Sequence, residues 1–174
     1  MLRQIGIVPD KVIASKIDES SRLRENPIAY VQRMALEKSL CVEKNASDYL
    51  ISADTIVVVG SRIIGKPKNI DHAYDCLQLL SGRRHKVYSA VTVSHLEKKL
   101  TKTVCTTVQF KRLSRLEVEY YLSCNEWEGK AGAYAIQGIA SRFIKKINGS
   151  YSNVVGLPVL ETLKLLSGLG YKVV

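Results

Sequence analysis

The stretch Ile51 to Pro67, ISADTIVVVGSRIIGKP, limits the fold of this 174-residue chain more than any other. Tyr49 to Val59 is rich in Ile and Val and too short to span a membrane, so it reads as a core strand, broken in pattern only at Ala53-Asp54-Thr55. Gly60-Ser61-Arg62 has the composition of a hairpin turn, and Ile63-Ile64-Gly65-Lys66-Pro67 returns Lys66 alongside that strand. A carboxylate rarely sits in a buried strand without a chemical reason, and a carboxylate facing an ammonium across a cleft is one. A structural ion pair at the end of a sheet is the other reading of the same two residues.

The remaining elements predict an α/β domain with a mixed, twisted sheet flanked by helices. A strand is expected at Lys11 to Ile17, followed by an acidic turn at Asp18-Glu19-Ser20. Asn26-Pro27 supplies a cap and a first-turn proline, and Val31, Met34, Ala35 and Leu36 continue at helical spacing to about Lys44. A second helix is predicted from Asp71 to Leu80, ended by Ser81-Gly82. Lys86 to His95 and Lys102 to Phe110 read as an antiparallel pair around the charged turn Glu97-Lys98-Lys99. Ser114-x-x-Glu117 is a capping box for a helix to about Cys124, and Leu157-Pro158 opens a last helix that closes near Gly168-Leu169-Gly170. With no internal repeat or linker, one domain over residues 1–174 is the economical expectation.

Composition excludes several classes. No apolar run approaches the ~18 residues of a membrane helix, and MLRQIGIVPDKV lacks the features of a secretory signal, which predicts a cytoplasmic protein with no membrane partner. Cys41, Cys76, Cys105 and Cys124 show no C-x-x-C spacing and read as reduced thiols. His72, His85 and His95 show no metal-ligand spacing and read as surface or supporting residues. The net charge of +10 favours a polyanionic partner, whether nucleotide phosphate, nucleic acid or an anionic surface. The basic residues are dispersed and aromatics are only 7%, which argues against base stacking and makes nucleic acid an unlikely partner. A second glycine-rich constellation, Gly129 to Gly138 (GKAGAYAIQG), permits close backbone approach to a ligand or simply makes turns, and Gln137 offers an amide to a base edge.

The segments ADT, GKP, LSGxxHxV, KAGAYxIQG and INGSYxxVVGLP follow one another in the order they take in Maf-like proteins, and this resemblance runs from about Leu2 to the last helix. It implies a nucleoside triphosphate pyrophosphatase that releases pyrophosphate and the monophosphate with a divalent cation, Mg²⁺ or Mn²⁺, on the fold shared with inosine triphosphatases. Tyr134 and Gln137 resemble the dTTP/UTP branch rather than the 7-methyl-GTP branch. By the same resemblance Asp54 is the proton acceptor, Thr55 and Gln137 set base specificity, and Glu19, Lys38 and Lys66 are the other charged site residues. Asp54 and Glu19 would share the metal through carboxylate oxygens, as Mg²⁺ prefers. Read without the resemblance, Lys38 is a helix-face lysine and Glu19 a turn carboxylate.

The chain departs from the family pattern in three places. Family members begin with a strand and a Ser-x-x-Arg-Arg segment that grips phosphate, whereas Met1 to Ile7 aligns with the tail of the helix after it; the expectation is a truncated domain with an exposed sheet edge. Ala135 stands where glycine is usual, and Gly129 where an acidic residue precedes Lys130. Two functional classes follow: an active dTTP/UTP pyrophosphatase, often a homodimer in this family, or a catalytically weak nucleotide-binding or interaction protein linked to cell division.

Overall fold

A computed structural model describes residues 1–172. One turn of 3₁₀ helix, Leu2–Ile5, is followed by extended chain to the first long helix, α1 (Pro27–Leu40). Then come β1 (Leu50–Val59), β2 (Arg62–Ile64), α2 (Ile70–Leu80), β3 (Arg84–His95), β4 (Lys98–Phe110) and α3 (Arg115–Ser123). Two 3₁₀ turns, Ala131–Ala133 and Ile139–Phe143, lead to β5 (Ile144–Asn148), the short α4 (Tyr151–Val155) and α5 (Val159–Gly168). The strands form one five-stranded sheet in the order β2-β1-β3-β4-β5, with helices flanking it, as the α/β expectation required. β1 and β2 pair antiparallel with Val57 opposite Ile64, and β4 and β5 pair antiparallel with Val108 opposite Ile147 and a bulge at Gln109/Phe110.

The elements form where local chemistry dictates. Asn26 Oδ1 accepts from Ala29 N at 2.8 Å and Pro27 occupies the first turn of α1, whose buried face Tyr30, Val31, Met34, Ala35 and Ser39 follows helical spacing. The predicted capping box is present: Ser114 Oγ accepts from Glu117 N while Glu117 Oε2 accepts from Ser114 N. Three sequence expectations need correction. The turn between β3 and β4 is Leu96-Glu97 alone, and Lys98 and Lys99 open β4, which starts four residues before the expected Lys102. Lys11 to Ile17 is extended but forms no strand; Val12 and Ile13 are 88% and 56% exposed, so the segment has no covered face to stabilise pairing. Helix α1 stops at Leu40 rather than Lys44, because Asn45 and Asp48 close a turn of their own, Asn45 N to Asp48 Oδ2 at 2.8 Å.

Internal packing divides the chain into two compact units. The first comprises residues 1–54, 89–104 and the chain from Gly156; the second comprises residues 55–88 and 105–155, so that β1, β3 and β4 run through both. In the first unit Val91, Val93 and Leu166 form a core covered by Tyr49, Ile51, Ala53 and Leu165. In the second, Val57, Leu77, Leu80, Phe110, Tyr121 and Phe143 lie in a larger core, with α2 packed on α3 and on the Ala131–Ala133 turn. Asn153, fully buried, donates to Val87 O and to Thr106 Oγ1, both at 3.0 Å, and Ser150 N donates to the same hydroxyl, which joins the INGSY segment to β3 and β4.

The glycine-rich segment serves the fold. Gly132 has φ +71°, and a Cβ there would stand 2.9 Å from Val57 Cγ2. A Cβ on Gly138 would meet Glu126 Oε2 at 2.1 Å, the same oxygen that accepts from Ile139 N at 2.7 Å. Gly132 is required by its positive φ and by the close approach of Val57, whereas a side chain at Gly138 would displace the Glu126 carboxylate from its contact with Ile139 N. No helix among the described residues is long and apolar enough to cross a membrane.

Candidate active site

Three residues from three segments of the first unit converge. Ser52 Oγ donates to Ala35 O at 2.7 Å and so fastens β1 to α1. Side chains two apart on a strand share a face and side chains three apart on a helix share a side, so this contact also turns Asp54 toward Lys38. Lys38 Nζ donates to Asp54 Oδ1 at 2.6 Å and pairs with Glu19 Oε1 at 2.8 Å. Side-chain exposure is 10% for Asp54, 15% for Lys38 and 38% for Glu19, so the group is sheltered at the strand and open at the loop. Burial alone would pull the Lys38 pKa down, but the hydrogen bonds its ammonium donates to Asp54 and Glu19 outweigh it and hold the ammonium above its ordinary range.

Glu19 reaches this position because its loop is strapped to α1. Asp18 accepts from both Ser20 N and Ser20 Oγ, at 2.9 and 2.8 Å, which forms the expected acidic turn. Tyr30 Oη donates to the Glu19 carbonyl at 2.6 Å, and Arg33 Nη2 donates to the Ser20 carbonyl at 3.0 Å. Arg33 also grips Glu25 with Nε and Nη2, both at 2.7 Å, a bidentate pair that pulls the Glu25 pKa down to about 2. The Tyr30 pKa is raised by burial and then by the charges of Asp54 and Glu19. Tyr30, Arg33 and Glu25 were not singled out in the sequence; the only trace of them there is Tyr30, Met34 and Lys38 recurring every four residues on α1.

The other proposed site residues belong to the second unit. Thr55 follows Asp54 on β1 and shares a strand face with Val57, which lies against Gly132. Lys66 is exposed just beyond β2, and the carbonyl of Gly65 before it accepts from Gly132 N at 3.1 Å, which ties the lysine to the glycine-rich segment. Gln137 is exposed on that segment. Tyr134 is buried, its hydroxyl 2.9 Å from His85 Nε2, so its place is beneath the segment and not on the surface. His85, expected as a surface or supporting histidine, is 2% exposed between the rings of Phe110 and Tyr134, and burial lowers its pKa to about 4.

The donor set of the first unit suits a hard cation. Asp54 and Glu19 offer carboxylate oxygens that already converge on one positive nitrogen, and among the described residues no group of three or more His, Cys, Asp or Glu is assembled. Two protein carboxylates with the remaining positions left to substrate phosphate and water is how Mg²⁺ is commonly held.

Comparisons with known proteins agree on one family. The profile of the family described as "Maf-like protein" matches residues 1–169. A "dTTP/UTP pyrophosphatase" of Mesorhizobium japonicum is 45% identical over 181 residues, covering 99% of this chain and 87% of the relative. A "dTTP/UTP pyrophosphatase" of Bartonella quintana is 47% identical over 186 residues, with 98% and 82% covered, and one of Caulobacter vibrioides is 45% identical over 174 residues, with 99% and 90% covered.

Proposed function

The chain belongs to the Maf-like family, and on that premise we propose that it is a cytoplasmic nucleoside triphosphate pyrophosphatase that hydrolyses dTTP and UTP to the monophosphate and pyrophosphate. The observation that carries the reading is the convergence of Lys38 and Glu19 on Asp54 in the middle of β1. Asp54 takes the proton of the attacking water as its oxygen bonds to the α-phosphorus. The bond from that phosphorus to the bridging oxygen breaks, and pyrophosphate leaves. Lys38 and Lys66 offset the negative charge that gathers on the triphosphate. A divalent cation held by Asp54 and Glu19 would supply further neutralisation of the phosphoryl oxygens. Gln137 presents both an amide donor and a carbonyl acceptor, which complements the carbonyl and ring N–H shared by thymine and uracil. Thr55 assists there as a hydroxyl partner, and Tyr134 acts from below by positioning the segment that carries Gln137.

Pyrophosphate release over dTTP, UTP, CTP, GTP and 7-methyl-GTP, with Mg²⁺ or Mn²⁺, tests this. Release should be fastest with dTTP and UTP, and Asp54→Asn should lower it by about 100-fold or more. No release from any of them by folded protein would sink the enzyme and leave a nucleotide-binding relative.

A further inference from the structure

Lys38 occupies the position between Asp54 and Glu19 that the proposed cation also needs. We propose that Lys38 is an internal counter-ion that competes with the divalent cation for these carboxylate oxygens, and that metal binding releases its ammonium toward substrate phosphate. The inference rests on the metal-dependent reading above and adds an order of events to it. Nζ lies within hydrogen-bond distance of both carboxylates, 2.6 Å from one and 2.8 Å from the other, so the oxygens that a hard cation would take are already neutralised by a monovalent one. An ammonium and a dication sharing these oxygens would stand a few ångströms apart and repel each other strongly in a half-buried setting.

One of the two cations must therefore withdraw, and the chain settles which. Asp54 is fixed on β1 beside the Ser52–Ala35 contact, and the backbone of Glu19 is held by Tyr30. Lys38 is the one partner attached through a flexible four-carbon stem, so it withdraws by rotamer change without moving α1. The withdrawal makes its charge available to an arriving triphosphate only once metal is present. Without metal, the same contact keeps two facing carboxylates from repelling each other across the loop.

The consequence is unusual for a residue placed in the catalytic machinery: removing Lys38 should strengthen metal binding. Mn²⁺ binding without nucleotide, followed by the electron paramagnetic resonance signal of free Mn²⁺, reads this directly. Lys38→Met should bind Mn²⁺ about fivefold or more tightly than the unmodified chain, while its pyrophosphate release falls. Lys38→Arg, which keeps the charge, should show no such tightening, and Lys164→Met on the exposed face of α5 should leave binding unchanged. In the unmodified protein, Mg²⁺ should raise the rate at which Lys38 is acylated by a small activated ester, whose alkoxide leaving group departs as the amide forms, which tests the release should the methionine variant fail to fold. Equal or weaker Mn²⁺ binding by folded Lys38→Met, or unchanged or slower acylation of Lys38 with Mg²⁺, would overturn the inference and leave the enzyme reading standing. No Mn²⁺ binding by any of the four proteins would remove the metal reading, and this inference with it.

Discussion

His85 shows how a single side chain ties the fold to pH. Its ring is buried against Phe110 and Tyr134, its Nε2 is engaged by the Tyr134 hydroxyl, and its Nδ1 is buried with no hydrogen-bond partner among the described residues. Burial therefore penalises the imidazolium and lowers the pKa from 6.5 to about 4. The facing titratable group is Tyr134, whose own pKa burial raises, so both partners are neutral across the physiological range. As pH falls below about 6.5 the unfolded chain takes up a proton that the folded chain refuses until about pH 4, so stability drops across that window and levels off beneath it. The loss attributable to this residue is about 3 kcal/mol. Thermal melting from pH 7 to pH 4 should show it as a difference between the unmodified chain and His85→Gln, which cannot titrate; parallel curves for the two would refute the assignment. The LSGxxHxV motif made this histidine visible but not its burial, because its three main contacts come from residues 25 and 49 positions away.

At the scale of elements, the loop carrying Glu19 depends on α1 more than on its own sequence. Tyr30 and Arg33 hold two consecutive carbonyls, those of Glu19 and Ser20, and Arg33 closes the far end through Glu25. Arg33→Ala should let residues 18–25 open locally without unfolding the rest. Tryptic cleavage after Arg22 and Arg24, both exposed, should then accelerate several-fold, and half-maximal pyrophosphate release should require more Mg²⁺ because Glu19 is no longer placed. Unchanged cleavage would mean that the loop is held by something other than this clamp. α1, β1, α2 and α3 were legible because their signals are local: a cap with a first-turn proline, a β-branched run ended by Gly60-Ser61, and a capping box. Lys11 to Ile17 carries strand-favouring Val12, Ile13 and Ile17, yet pairing is decided by whether another strand lies beside it, which the segment itself does not encode. β5 was missed for the converse reason, since Ile144-Lys145-Lys146-Ile147-Asn148 looks polar but is stabilised by pairing with β4 across a bulge. Asp54 stood out as a carboxylate in an apolar strand, whereas Tyr30 and Arg33 bond to backbone carbonyls, which every residue carries and no sequence marks.

The whole molecule carries a net charge of +10, and most of it is not spent in pairs at the candidate site. There Arg33 is engaged by Glu25 and Glu37, Arg22 by Glu37, and Lys38 by Asp54 and Glu19, so the immediate surroundings of Asp54 are close to balanced. The excess lies instead on dispersed, exposed residues such as Lys68, Lys86, Lys98, Lys99, Lys145 and Lys146. Charge of that kind does not build a binding pocket. It raises the potential around the molecule and speeds the encounter with a polyanion, an effect that salt screens within a Debye length of about 8 Å at 0.15 M. For a triphosphate substrate the expected signature is a kcat/KM that falls several-fold as salt rises from about 20 to about 300 mM, while kcat, which reports the sheltered Asp54 and its neighbours, holds nearly constant. Reversing two of the exposed lysines, as in Lys145→Glu with Lys146→Glu on β5 of the second unit, should lower kcat/KM at low salt and flatten its salt dependence without touching kcat. If kcat/KM is indifferent to salt, the surface charge plays no part in substrate capture. If kcat falls with salt instead, the exposed ions are reaching the Glu19–Lys38–Asp54 contacts themselves, and the site is more open to solvent than its 10% and 15% exposures indicate.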